Sequence, residues 1–131
     1  MKRPLWVDRR AIVLLHAESL AEHGGLPGLK DEGALESALA RPQHVYTYQR
    51  SADIAELAAA YGFGMVRNHP FNDGNKRAGF LSIGLFLGLN GYALIAEPRD
   101  AVNVFFALAA GKLSEKKLAE WVRNRMVRRQ S

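Results

Sequence analysis

The segment His69 to Arg77, HPFNDGNKR, concentrates more chemistry than any other stretch of the chain. It holds an imidazole (His69), a hard oxygen donor (Asp73), a turn around Gly74 flanked by Asn72 and Asn75, and two adjacent cations, Lys76 and Arg77. A neutral imidazole near pH 7 can accept a proton from a hydroxyl. A carboxylate suits Mg²⁺, an ion that bridges phosphate oxygens. Glycine reaches positive φ and lets the backbone come close to a phosphate. A helix starting at this turn would present unpaired N–H groups and partial positive charge to an anion. Two cations in that first turn oppose the helix dipole, at about 0.3–1 kcal/mol each, unless an anion is present. Base, metal ligand, anion hole and cations together suit transfer of a phosphorus group from a nucleotide to a hydroxyl. Each residue alone also fits an ordinary role: a histidine before proline caps a loop, Asp-Gly turns, and Lys-Arg is a surface pair. On the residues alone both readings stand.

Other chemistries lack their residues. With no cysteine, disulfides, thiolate nucleophiles and cysteine-ligated zinc are excluded. There is no G-x-x-x-x-G-K-[ST] loop and no H-E-x-x-H. Gly62-Phe63-Gly64 begins a G-x-G-x-x-G, but Arg67 occupies the third glycine position and the setting is helical. His16, His23 and His44 have no metal-ligand spacing and read as structural or surface residues.

Helical periodicity runs through nearly the whole chain. A first helix is expected from about Asp8 to Glu22, with Ile12, Leu15 and Leu20 on one face and Gly24-Gly25 ending it. Gly24 to Lys30, GGLPGLK, is turn chemistry. Asp31 caps a second helix that carries Leu35 and Leu39 and stops at Pro42. HVYTY, residues 44 to 48, is β-branched and aromatic and reads as a strand or small hairpin. Asp53 and Glu56 form a capping-box pair for a third helix, with Ile54, Leu57, Tyr61 and Met65 inward. Pro70 closes that helix just before His69. The fourth, from about Asp73–Asn75 to Asn90-Gly91, is apolar on nearly every side and should be central. Tyr92 to Ala96 suggests a brief strand. Pro98 and Asp100 open a fifth helix, carrying Val102, Phe105 and Leu108 or Ala109 inward and followed by Gly111. Ser114 caps a sixth, with Leu118, Trp121 or Val122, and Met126 inward. The expected architecture is an all-α bundle of about six helices.

The 131 residues fit a single domain, residues 1–131, that buries roughly 70% of its unfolded surface. An apolar fraction of 48% and a charged fraction of 24% exclude disordered, collagen-like and disulfide-scaffold classes. The start, MKRPLWVDRR, lacks the apolar run of a signal peptide. The most apolar stretch, Ala78 to Leu89, is about 12 residues, against roughly 20 for a membrane span. A cytoplasmic location with no membrane contact is expected. The net charge of +5 admits acidic partners: nucleic acid, nucleotide phosphates or an acidic protein. Part of it lies in a basic tail from about residue 123, with Arg123, Arg125, Arg128 and Arg129, which reads as a frayed, solvated helix end.

HPFNDGNKR resembles the Fic motif, H-x-F-x-[DE]-G-N-[GK]-R, and its Lys76 resembles the death-on-curing (Doc) branch. HGGLPGLKDEGALESALARP, residues 23 to 42, is similar to the amino-terminal segment of Doc-like toxins, and LFLGLNG, residues 85 to 91, also matches. The likeness covers about residues 5 to 125. It implies a compact Fic-type helical bundle and a toxin of a type II toxin–antitoxin pair. By this resemblance His69 is the general base, Asp73 the Mg²⁺-linked acid, and Gly74 and Asn75 the anion-cradling turn. Lys76 and Arg77 match phosphate contacts, Arg67 matches a further basic position, and Phe71 is the buried aromatic of the motif.

AMP-transferring Fic enzymes carry glycine where Lys76 stands, and a second arginine where Phe80 stands. That departure implies kinase chemistry: ATP or another nucleoside triphosphate bound with Mg²⁺ in another orientation, its γ-phosphate passing to a threonine or serine. The target class implied is a translation protein, elongation factor Tu. Gly74, where Doc-like motifs often have alanine, leans towards AMP transfer, the alternative. No serine or threonine is followed four residues later by glutamate, as a self-inhibitory helix would require. Inhibition is therefore expected from a separate antitoxin folding onto the toxin. Residues 43–50 lie where Fic proteins have a target-positioning flap, and a plain loop fits equally. Two readings from other classes remain: a nucleic-acid-binding or nuclease toxin, motivated by the basic tail, and an inactive antitoxin partner. The first lacks a metal-ligand set beyond Asp73 and lacks aromatics on a basic strand, so direct nucleic-acid binding is not expected.

Overall fold

A computed structural model describes residues 3–129. Six helices follow in order: α1 (Arg9–His23), α2 (Glu32–Tyr48), α3 (Ile54–Asn68), α4 (Asn75–Leu89), α5 (Pro98–Ala109) and α6 (Glu115–Arg123). Strand β1 (Tyr92–Leu94) lies between α4 and α5, and β2 (Met126–Arg128) follows α6. The all-α bundle expected from the sequence is the fold observed.

Local chemistry starts most of the helices where the sequence placed them. Side chains of Asp8, Asp31, Asp53 and Ser114 accept a backbone N–H at the starts of α1, α2, α3 and α6. Asp53 and Glu56 complete the capping box. The centre is the pair α3 and α4. α3 buries Leu57, Tyr61 and Met65, with α2, α4 and α6 packed around it. α4 contributes Ala78, Ile83, Phe86 and Leu87. Trp6, before α1, stacks on Phe86 at 5.9 Å and meets Tyr46 edge-on at 5.7 Å.

Three expectations change. Pro42 does not stop α2, and residues 44–48 are not a strand. Pro42, Val45 and Tyr46 are spaced as one helical face: Pro42 is buried, and the other two pack against the core. Arg41 also grips Glu115 of α6 with contacts of 2.7 and 3.1 Å. Tertiary packing thus offsets the roughly 3 kcal/mol local cost of an interior proline. An isolated antiparallel bridge, not a strand, lies against the motif. Residues 28–31 run antiparallel to residues 70–72, bridged at Leu29 and Phe71, with Lys30 and Asp31 N–H donating to the Pro70 carbonyl.

The tail is not a frayed helix end either. Met126 belongs to β2, which pairs antiparallel with β1 (Tyr92 opposite Arg128, Leu94 opposite Met126). Arg123 binds Asp53 (2.8 Å), Arg125 binds Asp100 (2.6 Å), and Arg128 lies over the Tyr92 ring (5.5 Å). Burial raises the Asp53 carboxyl, but Arg123 and the capping contacts with Glu56 outweigh it and hold the pKa below the usual value. No helix among the described residues is long and apolar enough to cross a membrane.

Tyr61 anchors the amino-terminal segment: its buried hydroxyl oxygen accepts the Val7 N–H at 2.9 Å. Burial pushes its pKa from 10.0 up to about 12. The folded chain keeps the phenol neutral where the unfolded chain ionises it. Stability from this group is therefore full below pH 10 and lost as pH rises to about 12. Tyr61→Phe is expected to cost about 1–3 kcal/mol near neutral pH by orphaning the Val7 N–H, and to blunt the alkaline loss. Urea unfolding at neutral and alkaline pH measures both; equal stability of the two proteins at both pH values would count against this role.

Candidate active site

The motif forms the corner between α3 and α4. His69 is the C-cap of α3, exposed, in the left-handed region at φ 53° and ψ 55°. Its N–H still donates to the Met65 carbonyl. Lys30 Nζ reaches His69 Nδ1 at 3.3 Å. Pro70 and Phe71 are buried and pull the chain back into the core.

Asn75 builds the corner. Its side chain accepts the Phe71 N–H (2.9 Å) and donates to the Phe71 carbonyl (3.0 Å), so both polar atoms are used inside the turn. His16 supports the same turn from α1. Its ring stacks on Phe71 at 3.7 Å, and its Nε2–H donates to the Asp73 carbonyl at 2.8 Å. The buried His16 is thus structural, as its lack of ligand spacing indicated.

Asp73 is exposed at the outside of the turn. Its carboxylate accepts the N–H of Gly74 at 2.9 Å and of Leu26 at 3.2 Å. The Leu26 and Gly74 N–H groups, in that order, with the charge of Lys76, hold its carboxyl below the ordinary range. Each oxygen keeps further acceptor capacity. Among the described residues no three or more His, Cys, Asp or Glu gather to hold an ion. A lone ionised carboxylate beside an anion site fits Mg²⁺ shared with phosphate oxygens better than an all-protein cage.

Gly74 is the N-cap of α4 at φ 74°, where a Cβ would stand 3.1 Å from Leu20 Cδ2 and 3.2 Å from His16 Nε2. No side chain caps this helix. The N–H groups of Asn75, Lys76 and Arg77 have no protein acceptor among the described residues. Lys76 and Arg77 are exposed and make no ion pair there. Beside the Asp73 carboxylate, the corner thus presents a helix start with three free N–H groups and two exposed cations.

A cleft of about 480 Å³ opens beside it, between the start of α4 and α5. Asp73, Gly74, Lys76 and Arg77 line one end; Phe80, Phe105 and Phe106 line the other. His69 and Arg67 are not part of that lining. Arg67 stacks on Phe63 at 5.3 Å, next to Arg41 over the same ring. Sequence reading missed Lys30, His16 as a support, and the aromatic wall from α5. All three reach the motif only through tertiary contacts.

Comparison with known proteins agrees with this architecture. The sequence pattern of the Fic/DOC family matches residues 6–87. A protein called Protein kinase doc, from Escherichia phage P1, is 33% identical over 117 residues, spanning 89% of this chain and 92% of its own length. Toxin Doc of Mycolicibacterium smegmatis is 38% identical over 93 residues, spanning 70% of this chain and 69% of its own. On its helical fold, its motif corner and these matches, the chain is a member of the Fic/DOC family.

Proposed function

We propose that the chain is a Doc-type toxin that transfers the γ-phosphate of a nucleoside triphosphate to a threonine or serine hydroxyl of a translation protein such as elongation factor Tu. The reading is supported by family membership and by the phage relative, which is called Protein kinase doc. The observation that carries it is the cleft in which Asp73, Lys76 and Arg77 meet the uncapped start of α4.

In this reading the N–H groups of Asn75 to Arg77 and the cations of Lys76 and Arg77 bind the phosphates. Asp73 would hold Mg²⁺, which supplies charge neutralisation at the phosphate oxygens. The target hydroxyl oxygen bonds to the γ-phosphorus, the bond from phosphorus to the bridging oxygen breaks, and ADP leaves when the donor is ATP. His69 takes the hydroxyl proton. An ammonium only donates, so in the Lys30 pair Nδ1 carries the lone pair and Nε2 the proton. Arg67 lies outside the cleft lining and contributes charge at longer range.

A separate antitoxin would inhibit the protein in the cytoplasm, since no serine or threonine supplies the self-inhibitory pattern. Of the tail arginines, Arg123 and Arg125 pair with Asp53 and Asp100, Arg128 lies over Tyr92 and Arg129 donates to the Gly88 carbonyl, which weakens a nucleic-acid reading. Intact-mass spectrometry of elongation factor Tu after incubation with ATP tests the proposal: a gain of about 80 Da is phosphate, and about 329 Da is AMP. Phosphate is expected. A gain of AMP would overturn the kinase assignment, and no gain would reject this target.

A further inference from the structure

The contact between Lys30 and His69 is not explained by the phosphate corner. Lys30 lies outside the cleft lining and 39 residues from the histidine. Its backbone is held against the motif on both sides of the Leu29–Phe71 bridge. The Asn72 N–H donates to the Gly28 carbonyl at 3.0 Å, and the Lys30 N–H donates to the Pro70 carbonyl at 2.8 Å. His69 is held by the end of α3, its own N–H on the Met65 carbonyl. Main-chain hydrogen bonds therefore place both residues, and the flexible stem of Lys30 spans the gap to the imidazole.

The ammonium is left without an acid. Asp31 accepts the Ala34 N–H at 3.0 Å, and Glu32 binds Arg9 at 2.7 and 2.9 Å. Among the described residues no carboxylate pairs with Lys30. It meets His69 Nδ1 instead, at 3.3 Å. With that lone pair engaged and the proton on Nε2, neither ring nitrogen is free to take another proton. The base is capped, whichever nitrogen serves in transfer. To act, it stands about 2.6–3.2 Å from a hydroxyl, whose oxygen is about 3–3.5 Å from the phosphorus it attacks. A γ-phosphate in reacting position therefore lies within about 7 Å of the imidazole. That is in range of a flexible lysine already touching the ring, and a phosphate is a stronger partner for an ammonium than a neutral nitrogen.

We propose that Lys30 reads the terminal phosphate of the donor. It caps His69 while no γ-phosphate is bound, and it moves to the γ-phosphate of a nucleoside triphosphate, freeing the base. A nucleoside diphosphate lacks that group and leaves the cap in place. The inference rests on the phosphate-transfer reading proposed above and adds a positioning residue that couples donor to base. Lys30 gives up no proton; it donates a hydrogen bond in both positions. Its side chain is exposed, and its substitution leaves the main-chain bonds of residue 30 intact.

Two measurements on the full chain test the cap. In isothermal titration calorimetry the parent is expected to bind the imido analogue of Mg·ATP, whose γ-phosphate is not transferred, more tightly than Mg·ADP. Lys30→Met should weaken the analogue roughly tenfold, the lower end for one hydrogen bond to a charged group, and leave Mg·ADP unchanged. Lys30→Arg should keep most of the preference. Acylation of His69 by diethyl pyrocarbonate, followed by peptide mass spectrometry, reports the free lone pair. Without nucleotide, His69 in Lys30→Met should react roughly two- to tenfold faster than in the parent, what one hydrogen bond withholds. No preference for the analogue in the parent, a preference unaltered in Lys30→Met, or parental acylation of His69 in that variant overturns the cap while the phosphate corner stands. Failure of the parent to bind either nucleotide overturns the phosphate reading and the cap together.

Discussion

Replacing His69 with glycine is expected to slow transfer by orders of magnitude and to make the protein more stable. His69 is the one non-glycine residue at positive φ among the described residues. A left-handed backbone costs an L-residue about 1–2 kcal/mol, and the C-terminal end of a helix is where glycine ordinarily removes that cost. Nothing in the packing requires a side chain: the imidazole is exposed, and its contact is the 3.3 Å approach of Lys30. The chain therefore carries strain at the residue that the mechanism needs as base. Glycine relieves it, offset by its own chain entropy of about 0.5–1 kcal/mol, for a net gain of up to about 1.5 kcal/mol. Loss of the base should slow transfer by about 10²–10⁴-fold. Calorimetric affinity for Mg·ATP should stay close to that of the parent, because His69 is not part of the cleft lining. A glycine variant that still modifies its target at the parental rate, or that melts earlier than the parent, would contradict the assignment.

The motif was legible because its parts are contiguous. His69, Asp73, Gly74, Lys76 and Arg77 fall in one short segment, and the structure folds that segment into one corner. Gly74 was readable as a positive-φ residue from its type and its place before a helix. For Asn75 the resemblance implied an anion-cradling turn; its side chain closes that turn, a contact its type alone did not announce, and its N–H is left free at the corner. His16 and Lys30 act on this corner from 57 and 39 residues away. Neither carries a local signal, since a histidine in an amphipathic helix and a lysine after Gly-Leu are ordinary in themselves. The same division holds for the fold. Capping aspartates and terminal glycines mark helix ends through local backbone chemistry. Pro42 misled because the packing of α2 on α3 and the Arg41–Glu115 contact lie outside its local window. Residues 126–128 misled because a strand needs a partner, and β1 lies on the far side of α5 and α6.

Gly79→Val should bring the largest loss of stability. Gly62 in α3 and Gly79 in α4 face each other where the two central helices cross. A Cβ on Gly79 would stand 3.0 Å from Val66 Cγ2, 3.1 Å from the Gly62 carbonyl oxygen and 3.1 Å from Phe105 Cε1. One of these neighbours is backbone, so no rotamer change relieves the clash and the helices must separate. Overpacking of this kind costs about 1–3 kcal/mol, and a β-branched side chain against a carbonyl belongs at or above the top of that range. Gly79→Ala recovers up to about 1 kcal/mol of helix propensity and should remain folded. It still asks Val66, Phe105 and the Gly62 carbonyl to give by a few tenths of an ångström, and α4 carries Lys76 and Arg77 in its first turn while α3 ends at His69. A displacement on the order of 1 Å can slow a reaction about 10²-fold, so a shift of a few tenths of an ångström is expected to slow transfer by less than that. The expected pair of results is a sharply lowered urea midpoint for valine, and a folded alanine variant with measurably slowed transfer. Parental midpoints for both would refute the close crossing. A folded alanine variant with full transfer would show that the spacing of α3 and α4 does not set the geometry of the corner.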